Sequence, residues 1–322
     1  MTDDKLRIAF LGTPRFAVPA LEALVAAGHE ICLVITQPDR PAGRGRQLMA
    51  PPVKQAAEQL RLPVFQPEKL ATPDALAVFA NIDPDVAVVA AYGEILTAST
   101  LAIPKRGFLN IHPSLLPRLR GATPVPTAIL DGLAITGVSV MEVGLGVDSG
   151  PILSQVSEPI LDRDTGETLL LRLGELGADL LAATLPDWWN RRITSRRQDG
   201  HMATYSRTLR REDGAIDWRR PAVDLWRQCR AFQPWPGFHT TWNGVGLKIL
   251  AVDLLPSRGG RAPGTVFATP NGWAVACGVG ALQLRVVQSQ GRKAMPADEF
   301  VRGQPAIRDS RLGEVLDSPN VE

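Results

Sequence analysis

"DVAVVAAYG", residues 85–93, decides the fold. Every side chain from Val86 to Ala91 is apolar, with Tyr92 and a glycine closing the run. A strand with one wet face alternates polar and apolar residues, so this one is buried on both faces. Working outward, "LRIAFLG" (6–12) and "EICLVIT" (30–36) read the same way, and "LPVFQ", "GFLNIH" and "TGVSVMEV" continue the strand series. Between them "AVPALEALVAAG", "PVKQAAEQLRL" and "DALAVFANI" carry apolar residues at helical spacing. Buried strands separated by helices predict an α/β fold, a doubly wound and mainly parallel sheet covered on both sides. In such sheets ligands sit beyond the carboxyl ends of the strands. Residues that end or follow strands are therefore the candidates for function.

The helical stretch "GETLLLRLGELGADLLAATLPDWWN" (166–190) closes this first domain. The polar, arginine-rich "RRITSRRQDGHMATYSRTLRRED" that follows has no long apolar period and reads as a linker. Beyond it "AVDLWRQCRAF" is helical, and the remainder holds short strands punctuated by Gly and Asn-Gly turns. That pattern predicts a small β-barrel. The expected division is 1–190, a linker at 191–207, and 208–322. Trp235, between two prolines in "RAFQPWPGFHTTW", is expected in a packed corner.

Composition narrows the class. In 322 residues, 35 basic and 33 acidic side chains leave a net charge of +2, so any polyanion must be met by local charge. The three cysteines, Cys32, Cys229 and Cys277, are far apart, which argues against a disulfide framework and a Cys-rich zinc site. "MTDDKLRIAFLG" is acidic where a signal peptide is basic. No segment approaches the roughly 20 apolar residues of a membrane span. The expectation is a cytoplasmic protein, and nothing demands more than a monomer.

"FLGTPRF" (10–16) lacks both GxGxxG and GxxxxGK[ST], and reads as a tight turn feeding a helix. "QPDRPAGRGRQLMAPP" (37–52) is a long insertion whose prolines and glycines keep it from joining sheet or helix. It projects Arg40, Arg44 and Arg46, either as a solvated basic loop or as one that contacts phosphates. Asn110 and His112 end a strand, where Asn can cap a turn and His can be a satisfied core side chain. The irregular "PSLLPRLRGATP" that follows stands where a sheet binds its ligand. Asp148, in the Gly-rich "MEVGLGVDSGPI" (141–152), alone would be a turn residue. Together the three form a cluster of polar groups around strand ends.

"NIHPSLLPRLRGATP" with "GVDSGPI" some thirty residues on resembles the folate-dependent formyltransferases, which move a formyl group from 10-formyltetrahydrofolate to a primary amine. The loop "TQPDRPAGRGRQLMAPPVK" is similar to the tRNA-facing insertion of the branch acting on initiator methionyl-tRNA. "AAYGEIL" is similar to the family's strand-end motif beside folate, and "TYSRTLRREDGAIDW" to the start of its appended barrel. The likeness runs from about residue 5 to about residue 310. Thr208 stands where that branch usually has Lys, flanked by Arg207, Arg210 and Arg211, and Thr123 stands where Ala is frequent.

The resemblance implies a Rossmann-like catalytic domain followed by an OB-like barrel. It implies Asn110, His112 and Asp148 as the catalytic group, and Ser114, Leu115, Leu116 and Pro117 at the folate, with Tyr92 and Gly93 as further candidates there. It implies tRNA contacts from Arg40, Arg44, Arg46, Arg207, Arg210 and Arg211, and a reaction that needs no metal. Transfer to a small amine, hydrolysis to formate, and a nucleic-acid-binding module on a retired scaffold are the competing readings. The arginine loop favours tRNA.

Overall fold

In the computed structural model, which describes residues 5–42, 47–257 and 259–313, the apolar runs become strands where their composition predicts. Among the described residues the first sheet contains β1 (Arg7–Gly12), β2 (Glu30–Ile35), β3 (Val64–Phe65), β4 (Val86–Ala90), β5 (Phe108–His112), β6 (Ile135–Glu142) and β7 (Ile152–Pro159). Their order is β7-β6-β5-β4-β1-β2-β3. β1 pairs parallel with β2 and β4, β2 with β3, and β4 with β5. β6 runs antiparallel to both β5 and β7. The helices α1 (Val18–Ala26), α2 (Pro52–Gln59), α3 (Pro73–Asn81) and α4 (Gly166–Trp189) lie between or after these strands.

Alternation along the strands assigns the faces. Ala9, Leu11, Leu33, Ile35, Ala87, Val89 and Phe108 form one apolar cluster with Ala75 and Phe79 of α3. On the other face α4 lies against β5 and β6. A Cβ built at Gly177 would stand 2.7 Å from Ile111 Cγ2 and 3.3 Å from Val138 Cγ1, so the helix approaches closely only because this residue has no side chain. With Ile111 turned towards α4, Asn110 and His112 point to the opposite face, since neighbours in a strand alternate.

The chain leaves β1 for β2 on one side and continues at β4 on the other, which is the switch point of a doubly wound sheet. Thr13, just past β1, ties the strand ends together. Its hydroxyl donates to the Tyr92 carbonyl at 2.8 Å and accepts the Gln37 N–H at 3.4 Å. "FLGTPRF" is indeed a tight turn, a single 3₁₀ turn (Arg15–Ala17) leading into α1.

Three features depart from the expectation. β7 is an additional strand, half-buried along most of its length. The 37–52 insertion does form a ladder, Arg40–Ala42 against Gln47–Met49, but one of its own, apart from the main sheet. Pro41 is tolerated there because a two-stranded ladder is all edge. The linker is laid onto the first unit: Arg196 and Ile152 exchange backbone bonds at 2.7 and 2.8 Å, and Tyr205–Ser206 pairs with Arg120–Gly121.

By packing, the chain divides into Met1–Val125 with Ala134–Ile160 and Thr168–Arg207, and a second unit of Pro126–Leu133, Leu161–Glu167 and Thr208–Glu322. The second unit holds a curled antiparallel sheet of the OB-like kind. Its strands are β8 (His239–Trp242), β9 (Val245–Leu255), β10 (Val266–Thr269), β11 (Gly272–Ala276), β12 (Ala281–Ser289) and β13 (Met295–Pro296). The order is β8-β9-β12-β11-β10, with β13 on β12. Register shifts at Ile249/Ala251 and Ala251/Val252 bend the eleven-residue β9, and such bulges curl a sheet. Asn243 and Gly244, at φ 49° and 72°, form the β8–β9 turn, the pairing that a tight hairpin favours. Helices α5 (Ala222–Ala231) and α6 (Ala297–Gly303) cover the core through Leu225, Cys229, Phe300 and Val301. Trp235 corrects the packed-corner expectation, being 55% exposed, while Phe232 and Phe238 on either side are buried.

Two measurements test this packing. A Cβ at Gly137 in β6 would stand 2.1 Å from the Val156 carbonyl oxygen of β7. Gly137→Ala is expected to lower unfolding free energy by about 1–3 kcal/mol in urea titration. Burial pushes the Cys32 thiol to about 11 and those of Cys229 and Cys277 to about 12. The thiolate, not the thiol, reacts, so all three are expected to resist iodoacetamide at pH 8 in the folded protein and to label promptly in denaturant.

Candidate active site

Asn110 and His112 stand two apart on β5 and share one face of the sheet. Asp148 arrives from the loop between the antiparallel β6 and β7. The Glu142 N–H donates to the Pro151 carbonyl at 2.9 Å, pinching the base of that loop. Gly150 is obligatory there, since a Cβ would lie 1.8 Å from the Glu142 carbonyl oxygen. Asp148 itself takes φ 44°, a left-handed conformation that Asp adopts more readily than most residues.

The carboxylate gathers the site. Asp148 Oδ1 accepts from Asn110 Nδ2 at 3.3 Å, and Oδ2 accepts the Gly121 N–H at 2.8 Å. His112 Nδ1 lies 3.6 Å from Oδ2. His112 is 4% exposed, and its Nε2 is 3.0 Å from the Leu119 carbonyl oxygen. A carbonyl only accepts, so Nε2 carries hydrogen and the ring presents Nδ1 to Asp148. Asn110 Nδ2 has two hydrogens and Asp148 takes one, leaving the other for an incoming oxygen.

The segment after His112 is fastened from below. Buried Ser139, opposite His112 in the β5–β6 register, donates to the Ser114 carbonyl at 2.6 Å and accepts the Leu116 N–H at 3.1 Å. Gln155 Nε2 donates to the Leu116 carbonyl at 2.9 Å and to Ser139 Oγ at 2.8 Å. The Ser114 hydroxyl donates to the Arg118 carbonyl, and the Leu116 side chain packs on Met141 and Ile152. Leu115 and Pro117 open onto a cleft of about 280 Å³ rimmed by Arg118, Arg196 and Arg197. Asn110, His112 and Asp148 lie outside its lining.

Tyr92 and Gly93 behave differently from one another. The Tyr92 ring is buried in the α3-side cluster, its hydroxyl without a hydrogen-bond partner among the described residues and its ionisation pushed up by burial. Only its backbone faces the strand ends. Gly93 is exposed at φ 100°, after Ala91 at φ 49°. Nearby in sequence, and on the loop leading to Asp148, Ile95, Leu145 and Val147 are exposed apolar side chains.

Of the arginines, Arg40 is exposed and paired with Glu68 at 3.0 Å. Its neighbour Asp39 anchors the insertion, accepting from Gln66 at 2.8 Å and from Lys54 at 2.8 and 3.0 Å. The bonds from Gln66 and then Lys54 hold that carboxyl below its ordinary range. Arg44 and Arg46 lie outside the described residues. The Arg207 carbonyl accepts the Thr123 hydroxyl at 2.5 Å, so the hydroxyl that replaces a frequent alanine fastens the linker. Arg210 and Arg211 are exposed in the second unit.

Sequence reasoning missed Ser139, Gln155, Arg120 and Gln198. Ser139 is a lone small hydroxyl in a buried strand, Gln155 an ordinary polar position in a half-buried one, and Gln198 sits in a segment whose composition signals only solvation.

The formyl transferase family pattern matches residues 6–185, and the pattern for the formyl transferase C-terminal domain matches 208–305. The methionyl-tRNA formyltransferase of Roseiflexus castenholzii is 50% identical over 311 residues, 96% of this chain and 99% of that protein. That of Thiobacillus denitrificans is 47% identical over 310 residues, 96% of this chain and 100% of that protein. In fold, the chain is similar to the N-formyltransferase of Helicobacter canadensis solved with folinic acid and dTDP-3-aminofucose. That match has a TM-score of 0.65 at 18% identity, covering 87% of this chain and 99% of that one. With a family pattern over more than half its length and near-full-length relatives at this identity, the chain belongs to the formyltransferase family, among the methionyl-tRNA formyltransferases.

Proposed function

We propose that the formyl group moved by this methionyl-tRNA formyltransferase comes from 10-formyltetrahydrofolate, and that Asn110, His112 and Asp148 carry the transfer. The observation that supports the assignment most is the meeting of all three side chains at one carboxylate, with Asp148 within 3.3 Å of Asn110 and 3.6 Å of His112.

Formyl transfer to an amine places negative charge on the formyl oxygen and leaves a proton to be removed from the attacking nitrogen; the formyl C–N10 bond then breaks, and N10 of tetrahydrofolate leaves with a proton. The free N–H of Asn110 stabilises that oxygen, and one such donor is worth about 10²–10³ in rate. His112, fixed through Nε2 on the Leu119 carbonyl, offers Nδ1 beside the same position. Asp148 orients the imidazole when Nδ1 is protonated and takes the proton directly or through water, a contribution of about 10²–10⁴.

The residues present fit a folate. A pterin needs backbone donors and acceptors and a flat apolar surface. Exposed backbone at Gly93 and the exposed Leu145 and Val147 of the Asp148 loop supply these. Leu115 and Pro117 would continue from His112 along the same ligand, with the buried Ser114 and Leu116 holding that segment in place. Bound there, 10-formyltetrahydrofolate supplies an activated formyl group.

Arg40, Arg44, Arg46, Arg207, Arg210 and Arg211 would meet the phosphates of the acceptor arm, which concentrates basic charge despite a net charge of only +2. On this reading the enzyme works in the cytoplasm as a monomer.

In a transfer assay with 10-formyltetrahydrofolate and charged methionyl-tRNA, His112→Ala and Asp148→Asn are each expected to lower kcat by about 10²–10⁴. Activity of both variants close to that of the unsubstituted enzyme rejects the catalytic assignment. Arg44→Ala is expected to lower kcat/KM for methionyl-tRNA about ten- to a hundredfold, as for a lost charge-assisted bond. Folate affinity should stay constant, and unaltered tRNA kinetics would remove Arg44 from the interface.

A further inference from the structure

We infer that residues 198–207 form a strap that positions Asp148, with Gln198 of the strap and its partner Arg120 as the positioning residues. The inference rests on the role given to Asp148 above. The Gln198 side-chain amide donates to the Asp148 carbonyl at 2.8 Å and to the Gly150 carbonyl at 2.7 Å. One NH₂ group thus clamps both ends of the turn that holds Asp148 at φ 44°. The same amide's Oε1 accepts twice from the guanidinium of buried Arg120, at 3.0 Å from Nε and 2.8 Å from Nη2. Arg120 directly precedes Gly121, whose N–H holds Asp148 Oδ2 at 2.8 Å.

These contacts close a ring. From Arg120 the path runs through Gln198 to the backbone of Asp148, through its carboxylate to the Gly121 N–H, and along the chain back to Arg120. Both the backbone and the carboxylate of Asp148 are therefore referred to one short segment, residues 119–121. The strap holds that segment in turn. Thr204 Oγ1 accepts the Leu119 N–H at 2.9 Å, and the Leu119 carbonyl is the acceptor for His112 Nε2. Tyr205 Oη accepts from Arg120 Nη1 at 3.3 Å, and Ser206 Oγ donates to the Arg120 carbonyl at 3.1 Å while accepting the Thr123 N–H at 3.0 Å. Imidazole and carboxylate thus take their placement from the same strap, although none of its side chains reaches the reacting atoms. A group whose effect passes through a second residue loses it when that residue is removed, so the two substitutions are non-additive.

The test is a double-mutant cycle in the transfer assay with the full chain. Gln198→Glu keeps an acceptor for Arg120 while removing both donors to the Asp148 turn. It is expected to lower kcat about tenfold, with KM for methionyl-tRNA and for 10-formyltetrahydrofolate held within about twofold and the melting temperature little changed. On an Asp148→Asn background the same substitution should cost nothing further. Wild-type kcat in folded Gln198→Glu, or a tenfold loss that persists in full on Asp148→Asn, overturns the inference. Should Gln198→Glu fail to fold, Thr204→Val takes its place in a second cycle with His112→Ala. A kcat loss that vanishes on the His112→Ala background supports the strap, and unchanged kcat or a loss that persists there opposes it. Full activity of Asp148→Asn alone withdraws the role of Asp148 itself, a failure that the single variant distinguishes from failure of the strap.

Discussion

The bond from the Gly121 N–H to Asp148 Oδ2, 2.8 Å long, sets where Asn110, His112 and Asp148 meet. A carboxylate offers about four lone-pair sites, and here a backbone donor fixes one oxygen in place. Its neighbour Oδ1 then meets Asn110, and Nδ1 of His112 faces Oδ2. A backbone N–H has no rotamers, so this anchor costs less conformational entropy than a side-chain donor would. The remaining freedom of Asp148 lies in its own backbone, held at a φ that few L-residues adopt. Strain of that kind persists only where surrounding contacts over-determine it, and the paired bonds from Gln198 do so.

The antiparallel turn of the sheet is what delivers the carboxylate. β1 to β5 follow the parallel doubly wound plan, whose crossovers place helices between strands. At β6 the direction reverses, and β6 and β7 become neighbours joined by a loop rather than a helix. A loop between paired strands can fold back over the sheet, and this one brings Asp148 to the residues of β5. A further parallel strand would have put a helix in that place.

Much of this was legible in the sequence, and the parts that were not share a cause. The runs at 6–12, 30–36 and 85–93 announce themselves because burial on both faces excludes polar residues. Asn110 and His112 stand out as polar residues in such a run, and the strand period of two puts them on one face. β7 escaped notice because "ILSQVSEP" is half-buried, so no single periodicity dominates it. The buried Tyr92 ring could not be told from a ligand-facing one, since the residues around it are apolar in either case. Trp235 went the other way, its aromatic surface left in solvent although composition favours burial. Gln198 was invisible for a deeper reason: the role inferred for it depends on contacts with residues 48 and 50 positions away in the chain.

The proposed function therefore draws on two kinds of residue with different sequence signatures. Asn110, His112 and Asp148 break the pattern of their surroundings and can be found by that contrast. Ser139, Gln155, Arg120 and Gln198 do not, because each is a polar group satisfied by other polar groups. Burying an unpaired amide or guanidinium is costly, so such side chains are buried only where their partners already exist. Arg120 is 6% exposed and yet carries a charge, and its bonds to Gln198 and Tyr205 are what make that tolerable. The same bonds that satisfy the guanidinium also lead to the Asp148 turn. A residue needed to neutralise a buried donor set is thus already in position to hold the Asp148 loop, and one network serves both ends.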